Sequence, residues 1–363
     1  MSDGMGSQIA AGWRNMSAET RKKTATLKDI AVATGFSINT ISRALRDKDD
    51  ISAATREKIK RVAREMNHAT NMLASSLRLG YTNTIAVILG DVSNPHFAIM
   101  MKEIEEYARK FGYITFLVNT NEDAEAEFQA IQAAQNKHVD GIILCPTQVD
   151  GRNIAYLRET GTPFVLIGRH FPEVETDFVV CNDRLGGYQA VSYLIAMGHR
   201  DILMLNGPTF ISSARERFEG YRQALKEHGI PFRSRLVKEV PATADGCELV
   251  LQEALAQREK SPEHGFTAIF AFSDMIAWTA WTCLEKRGLT IGRDYSLIGF
   301  DHIQSRLAIP YQLSTISSYK SHMSTTAVDL LLKRIKGEYS ENKFGQVFID
   351  TALVEGETVA HWK

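Results

Sequence analysis

The part of the sequence that decides the fold is residues 26 to 77, which read TLKDIAVATGFSINTISRALRDKDDISAATREKIKRVAREMNHATNMLASSL. Thr26 can cap a first helix whose apolar residues recur at helical spacing. Gly35 follows where a left-handed residue can turn the chain, and Ser37 can cap a second helix. Ser52 can begin a third helix that we expect to extend to Asn67. Because two short helices joined by a Gly-containing turn form a helix-turn-helix, this stretch predicts a three-helix headpiece.

The charge of the chain is unevenly distributed around this stretch. Residues 1 to 80 carry 14 Lys and Arg against 8 Asp and Glu, a net charge of +6, although the whole chain has a net charge of −1. A basic head on an acidic body concentrates attraction for phosphate at one end. Residues 1 to 25 predict a flexible leader. Its Arg21, Lys22 and Lys23 are either solvated or form a basic arm that contacts phosphates.

From Thr84 onward, short apolar segments alternate with helical ones. The predicted strands cover 84–91, 113–120, 141–146 and 164–168, and then 178–183, 201–207, 236–240, 267–273 and 295–301. This alternation is typical of parallel sheets that are covered by helices on both faces. The expected fold class is α/β, with an N-terminal helix-turn-helix headpiece and two doubly wound parallel-sheet subdomains. Ligands of such sheets bind at the carboxyl ends of the strands.

Nine short motifs resemble one family over nearly the whole chain. In the head they are T-L-x-D-I-A (26–31), G-F-S-x-x-T-I-S-R-A-L (35–45), I-S-x-x-T-R-E-K-I (51–59) and N-x-x-A-x-x-L (71–77). In the body they are D-x-x-N-P-x-F (91–97), L-I-x-x-G-H-R-x-I (194–202), R-x-x-G-Y-x-x-A-L (217–225), S-D-x-x-A (273–277) and L-I-G-F-D (297–301). The chain resembles the LacI/GalR (lactose-repressor) family of bacterial transcriptional regulators, whose effector domain is similar to periplasmic sugar-binding proteins. The resemblance implies a homodimeric repressor of a carbohydrate-utilisation operon that binds operator DNA and a sugar.

The resemblance also implies that the chain crosses between the subdomains three times, and we place these crossings near Gly168, Ser317 and Asn342. The expected units are a leader (1–25), a headpiece (26–70), a hinge helix and linker (71–83), an N-terminal subdomain (84–168 and 318–342) and a C-terminal subdomain (169–317 and 343–363).

The predicted DNA-reading residues lie at the exposed start of the second helix and one turn along it. Arg43 can bond guanine bidentately, Asn39 can read adenine, and Ile38 can contact a thymine methyl. Hydroxyl and polar residues that are expected to meet phosphates or cap helices are Thr26, Ser37, Thr40, Ser42, Arg46, Ser52, Thr55 and Asn71. Asp47, Asp49 and Asp50 are poor neighbours for phosphate, so we expect them to face away from DNA.

The resemblance places a second DNA contact in the hinge. In the family a leucine wedges into the minor groove, and here Leu77 occupies that position while Ala74 permits close approach. Leu77 as an ordinary linker residue is the alternative. His68 and Thr70 stand where the family usually has Tyr and Pro, which leaves the entry to the hinge less restrained.

The expected effector-binding residues lie at strand ends of the body. By resemblance Arg217 and Asp301 anchor the hydroxyls of a sugar; the alternative is that they form only an ion pair. Ser273 replaces the usual Asn, and Asp274 either contributes to the site or caps the following helix. Asn94 and Phe97 are expected to form the other wall, with Phe97 either stacking on a sugar or lying in the core. Arg169 and Lys320 either favour a phosphorylated sugar, are solvated, or form pairs between subdomains.

The sequence lacks the motifs of several classes of enzyme. The sequence contains no Gly-rich phosphate loop, G-x-S-x-G or H-E-x-x-H, so we expect no catalytic residues, no cofactor and no metal. Cys145, Cys181, Cys247 and Cys283 lie far apart and predict reduced thiols. With no membrane-length apolar run and no signal peptide, we expect a cytoplasmic protein with no membrane partner. A regulator that responds to a purine or a sugar phosphate, or a sugar-binding transport component, remains the alternative.

Overall fold

The computed structural model describes residues 25–68, 81–241, 244–260, 265–306, 312–339 and 343–362. The chain divides into two compact units at Gly80 and Tyr81, and each unit is described by itself.

The first unit is a bundle of three helices, α1 (Leu27–Thr34), α2 (Ile38–Leu45) and α3 (Ala53–Glu65). Each begins at the residue that the sequence predicts: the side chains of Thr26, Ser37 and Ser52 accept hydrogen bonds from the backbone three residues ahead. Gly35 ends α1 at φ 75°, the left-handed conformation that favours glycine. The shared core consists of Ile30, Ile41, Ala44, Ile59 and Ala63.

The first sheet of the body is parallel throughout. Its strands are β1 (Thr84–Leu89), β2 (Ile114–Asn119), β3 (Gly141–Leu144), β4 (Phe164–Ile167), β5 (Phe178–Cys181) and β11 (Gln346–Ile349). They lie in the order β11-β5-β4-β3-β1-β2. Helices α4 (Pro95–Arg109), α5 (Ala124–Asn136), α6 (Arg152–Thr160) and α11 (Lys320–Ile335) accompany this sheet. Apolar clusters lie on both of its faces, as a doubly wound sheet requires.

The second sheet repeats this plan with one antiparallel edge. Its strands are β6 (Ile202–Asn206), β7 (Val237–Glu239), β8 (Ala268–Ala271), β9 (Ser296–Asp301), β10 (Ser314–Ser317) and β12 (Ala352–Val354). They lie in the order β12-β10-β9-β8-β6-β7, and only β12 runs antiparallel to its neighbour. Helices α7 (Asp183–Ala196), α8 (Ser212–Glu227), α9 (Ala244–Lys260) and α10 (Asp274–Glu285) accompany it. The predicted fold class is therefore confirmed.

Two of the predicted crossing points are wrong. β5 pairs with β4 and β11 in the first sheet, although its sequence was assigned to the second subdomain. The chain therefore first crosses after Cys181 rather than near Gly168. The last crossing falls between β11 and β12 rather than at Asn342, which itself lies outside the described residues. An apolar run predicts that a strand exists but carries no information about which sheet it joins. β10 lies in the second sheet, whereas Met323 of the following α11 packs in the core of the first sheet.

No helix within the described ranges is long and apolar enough to cross a membrane.

Candidate functional site

The outer face of α2 presents the predicted base-reading residues. Ile38 has 49% of its surface exposed, and Asn39 is exposed beside it. Ile41 and Ala44 of the same helix are buried in the headpiece core. An exposed isoleucine at the start of a recognition helix is available for an apolar contact, whereas its buried neighbours hold the helix in place.

The hydroxyl residues of the head act in helix capping. The Oγ atom of Ser37 lies 2.9 Å from Thr40 Oγ1, and Ser52 Oγ donates to Thr55 Oγ1 at 2.9 Å. Thr26 forms a capping box with Asp29. Arg46 donates to the backbone oxygen and the hydroxyl of Ser42. A cap leaves a hydroxyl's other lone pair free, so phosphate contacts by these residues stay a prediction.

Asn71, Ala74 and Leu77 lie outside the described residues, as does Thr70. The hinge contacts therefore stay predictions.

Two aspartates of the acidic turn after α2 have different partners. Asp50 forms an ion pair with Arg43, the predicted guanine-reading residue. Asp47 accepts from Lys60 of α3 at 2.6 Å, and this bond lowers the pKa of its carboxyl. How the three aspartates face relative to DNA stays a prediction; the structure shows only that Asp50 is attracted by a guanidinium on α2.

Arg217 is the centre of the polar cluster in the body. Its Nε donates to Asp183 Oδ1 at 2.7 Å, and Nη1 donates to the backbone oxygen of Phe272. Its guanidinium carbon lies 3.5 Å from the ring centroid of Phe300 and 4.5 Å from that of Phe272. Asp301 lies 3.8 Å from Arg217, so the ion pair that was the alternative for these two residues is present but longer than the pair with Asp183, and their role as sugar anchors stays a prediction. Sequence reasoning missed Asp183; its place just after β5, at a strand end, was the available signal.

Asp301 ends β9 in a strained conformation at the same cluster. Its φ of 106° lies in the left-handed region, which side chains other than glycine rarely adopt. His96 Nδ1 lies 3.4 Å from its carboxylate, and Lys320 donates to its backbone oxygen. Burial lowers the pKa of His96 to about 4, so this imidazole is neutral at pH 7. His96 also went unpredicted, although it occupies the variable position of the N-P-x-F motif.

The residue that caps α10 is Ser273, and not Asp274 as one of the two alternatives had it. Ser273 caps the helix by accepting from Ile276 N at 3.3 Å. Asp274 is fully buried, and its two oxygens accept from Thr315 Oγ1 at 2.5 Å and from Ile303 N at 2.8 Å. Burial, followed by the charge of Asp301, raises the pKa of Asp274 to about 7. Asp274 therefore braces the ends of β9 and β10.

The wall predicted at the start of α4 is built differently from the expectation. Asn94 caps α4 by accepting from His96 N at 3.0 Å. Phe97 is buried in the core beneath the first sheet, so its burial does not support stacking on a sugar. Its ring meets the edge of the His96 ring at 5.2 Å between centroids. Because a helical residue and its successor point about 100° apart, Phe97 faces the core while His96 reaches Asp301.

Arg169 is not a free cation. Its two terminal nitrogens donate to the carboxylate oxygens of Glu122 at 2.6 and 2.9 Å, and Nη1 also donates to Pro146 O at 3.0 Å. Both residues lie at strand ends of the first sheet, so neither predicted role, phosphate binding or pairing between subdomains, describes this contact. The bidentate geometry is the strong form of an ion pair.

Several contacts bridge the two subdomains beside this cluster. Arg306 reaches Glu103 of α4 at 2.6 Å, in addition to the His96–Asp301 contact. A further contact between the subdomains is the hydrogen bond that Ser212 N donates to Gln148 Oε1 at 2.9 Å. The polar groups thus lie where the carboxyl ends of both sheets meet, the position at which such folds bind ligands. Among the described residues no group of three or more His, Cys, Asp or Glu could hold a metal ion.

A helix-turn-helix head on a body of two sheets, with polar side chains where the strand ends of both sheets meet, is typical of a ligand-controlled DNA-binding regulator. Family models agree: "Bacterial regulatory proteins, lacI family" matches residues 26–71, and "Periplasmic binding proteins and sugar binding domain of LacI family" matches residues 82–351. This chain belongs to the LacI family of transcriptional regulators, and it is a DNA-binding regulator and not an enzyme.

Similar proteins include regulators with different names. The ribose operon repressor of Haemophilus influenzae is 34% identical over 86% of this chain and 92% of that protein. A repressor called PurR from Aliivibrio salmonicida is 29% identical over 88% of this chain and 95% of that protein. A ribose-bound LacI family regulator from Enterococcus faecium is 28% identical, covers 77% of this chain and 100% of its own, and has a TM-score of 0.67. The operator-bound lac repressor dimer, 24% identical with a TM-score of 0.81 over 93% of this chain and 100% of its own, shares the fold.

Proposed function

We propose that this regulator represses a carbohydrate-utilisation operon and that an uncharged sugar in the cleft changes its affinity for the operator. The observation that carries this proposal is the environment of Arg217, whose guanidinium lies close to the rings of Phe272 and Phe300 and has two carboxylates beside it. Sugars present hydroxyls at their rim, so they suit a site whose charged side chains donate and accept hydrogen bonds.

The balance of charge in the cleft favours a neutral ligand over a sugar phosphate. Arg217 is paired with Asp183, and Arg169 is paired with Glu122. Burial lowers the pKa of Lys320, and the carboxylate of Asp301 opposes that fall. A phosphate group carries ≈ −1.5 to −2 charges at pH 7, and here it would have to displace a protein carboxylate from each cation that it approached. Hydroxyl groups instead fill the remaining donor and acceptor positions and leave these pairs intact.

A purine-responsive regulator is the second candidate, because several proteins with similar sequences carry the name PurR. The ribose operon repressor is more nearly identical to this chain, and a similar solved structure holds ribose. These likenesses favour a pentose among neutral sugars.

Control of DNA binding is proposed to act through the contacts that bridge the subdomains. A ligand that binds one arrangement of the subdomains better than another shifts the equilibrium between them. In a two-fold dimer this shift changes the spacing of the paired hinges and headpieces, so affinity for a pseudo-palindromic operator changes with it. The contacts of His96 with Asp301 and of Arg306 with Glu103 are the ones that such a shift would make or break.

The experiment is a titration of the full chain with DNA from upstream of its own gene, followed by fluorescence anisotropy. Ribose, other pentoses, disaccharides, ribose 5-phosphate and purines are added in turn, and their binding to the free protein is measured by calorimetry. We expect a neutral sugar to change operator affinity, and we expect Arg217→Ala to abolish that response. Arg222→Ala, which removes an exposed arginine from the same helix, is the matched control. A response to purines alone would overturn the sugar assignment while leaving the regulator intact.

A further inference from the structure

The ion pair between Arg43 and Asp50 joins the recognition helix to the turn that follows it. Asp50 Oδ2 contacts Nη2 of Arg43, one of the nitrogens that a bidentate contact with guanine uses. The side chains are 44% and 50% exposed, so DNA can approach both of them. Since an exposed ion pair contributes little to stability, this contact is a poor candidate for a structural brace.

The other charged side chains of this region have different partners. Arg46 is bonded to Ser42 on its own helix, and Asp47 is bonded to Lys60 of α3. Arg56 donates to the backbone oxygens of Lys48 and Ile51. These contacts tie the turn to the helices on either side of it. Asp50 therefore differs from Asp47, because its partner is a residue of the predicted DNA-reading face.

A carboxylate beside an arginine affects two kinds of DNA contact differently. The guanidinium has five N–H donors, so Arg43 can donate two hydrogen bonds to guanine while it still contacts Asp50. The acceptors of guanine, O6 and N7, are uncharged. A phosphate is an anion, and Arg43 can reach one only by bringing it close to Asp50 or by breaking the ion pair. Asp50 thus penalises phosphate contacts of Arg43 more than base contacts.

We propose that Asp50 is a specificity-determining residue of the headpiece, which restrains Arg43 from binding phosphates and so reserves it for guanine. This inference rests on the proposed role of Arg43 as a base-reading residue. Non-specific binding to DNA comes almost entirely from phosphate contacts. Asp50 therefore lowers non-specific affinity more than operator affinity, which raises the ratio between the two.

The test compares Asp50→Asn with Asp49→Asn in the full chain. Both variants remove one negative charge from the same turn, and no contact between Asp49 and Arg43 occurs among the described residues. Anisotropy gives the affinity of each protein for the operator and for a non-specific duplex of equal length, at two salt concentrations. We expect Asp50→Asn to lower the ratio of operator to non-specific affinity by about twofold to fivefold relative to Asp49→Asn, the range that an exposed ion pair supports. An equal ratio in the two variants, or a higher one in Asp50→Asn, would overturn the inference.

A double-mutant cycle with Arg43→Ala tests the role of Asp50 separately from the proposed base-reading role of Arg43, on which it rests. In the Arg43→Ala background, Asp50→Asn should change the ratio no more than Asp49→Asn does, because the partner is gone. If Arg43→Ala itself leaves operator selectivity intact, the base-reading role fails. If Arg43→Ala abolishes selectivity but Asp50 and Asp49 behave alike in the native background, only the role of Asp50 fails. Thermal unfolding of each variant confirms that the headpiece is folded.

Discussion

Asp183 Oδ1 lies 2.7 Å from Nε of Arg217, and both side chains are buried at the point where the two sheets meet. The two residues come from adjacent helices, since Asp183 begins α7 and Arg217 lies in α8. Burial raises the pKa of Asp183, and the positive charge of Arg217 opposes that rise. The pair therefore holds the guanidinium of Arg217 in place without leaving its charge uncompensated.

Removal of the carboxylate from this pair should destabilise the body strongly. Asp183→Asn leaves a buried guanidinium without its nearest counter-charge, which costs about 3–5 kcal/mol in comparable buried pairs. The free energy of unfolding, measured in urea, gives the loss. Asp201→Asn is the control, because it breaks the more exposed pair with Arg233 in the same subdomain and should cost about 1 kcal/mol or less. Equal losses in the two variants would show that breaking the buried pair of Asp183 with Arg217 costs no more than breaking an exposed one.

The proposed preference for an uncharged effector should depend on Glu122. Glu122→Gln leaves Arg169 with an uncompensated charge at the end of the first sheet, so the protein should bind ribose 5-phosphate about tenfold more tightly relative to ribose than before, as expected for a hydrogen bond to a charged group. Calorimetric titration with both ligands measures that ratio. Glu125→Gln removes the same charge from an exposed position on α5 and should leave the ratio unchanged. If Glu122→Gln left this affinity ratio unchanged, we would conclude that Arg169 does not contact the ligand.

Local signals in the sequence predicted the elements of this fold well. Thr26, Ser37 and Ser52 are caps in the structure because an oxygen before a run of helical periodicity has one dominant use. The long apolar strands were equally clear, since both faces of a parallel strand are buried. The strands at Ser314–Ser317, Gln346–Ile349 and Ala352–Val354 were not predicted, because they are short and two of them contain polar residues.

These local signals could not predict strand pairing or side-chain contacts between residues far apart in the sequence. β5 belongs to the first sheet because it pairs with β4 on one side and with the distant strand Gln346–Ile349 on the other, and an apolar run shows neither pairing. The contacts of Asp183 with Arg217 and of His96 with Asp301 likewise join residues that only the tertiary fold brings together. Arg217 and Asp301 could be named in advance because the resemblance to a family supplied them. Their partners could not, since a strand end locates a polar residue without indicating what it faces.

The stability of the body should respond to pH through Asp274. Its pKa is raised to about 7, so the folded protein keeps a proton that the unfolded chain releases near pH 4. The stabilisation is complete at low pH and is lost as pH rises through about 7, with a slope of at most about 1.4 kcal/mol per pH unit. Asp274→Asn cannot titrate, so the stability of the native protein relative to this variant should fall between pH 5 and pH 8.

Urea unfolding of both proteins at several pH values measures that difference. His96 and His199, whose pKa values are lowered to about 4, act in the opposite direction: they destabilise the folded protein as pH falls below about 6.5. They are present in both proteins, so their effect cancels to first order in the comparison. Parallel profiles for the two proteins would mean that Asp274 is ionised throughout this range.

The close approach of α7 and α8 should be sensitive to a single methyl group. A Cβ atom at Gly187 would lie closer than 3.0 Å to the backbone oxygen of Arg217, so Gly187→Ala forces apart the two helices that carry Asp183 and Arg217. Overpacking of this kind costs about 1–3 kcal/mol, and sugar affinity should fall with it. Gly151→Ala meets open space and should change stability by about 1 kcal/mol or less without affecting sugar binding. If Gly187→Ala lost stability but kept full sugar affinity, the spacing of these helices would not set the geometry of the effector site.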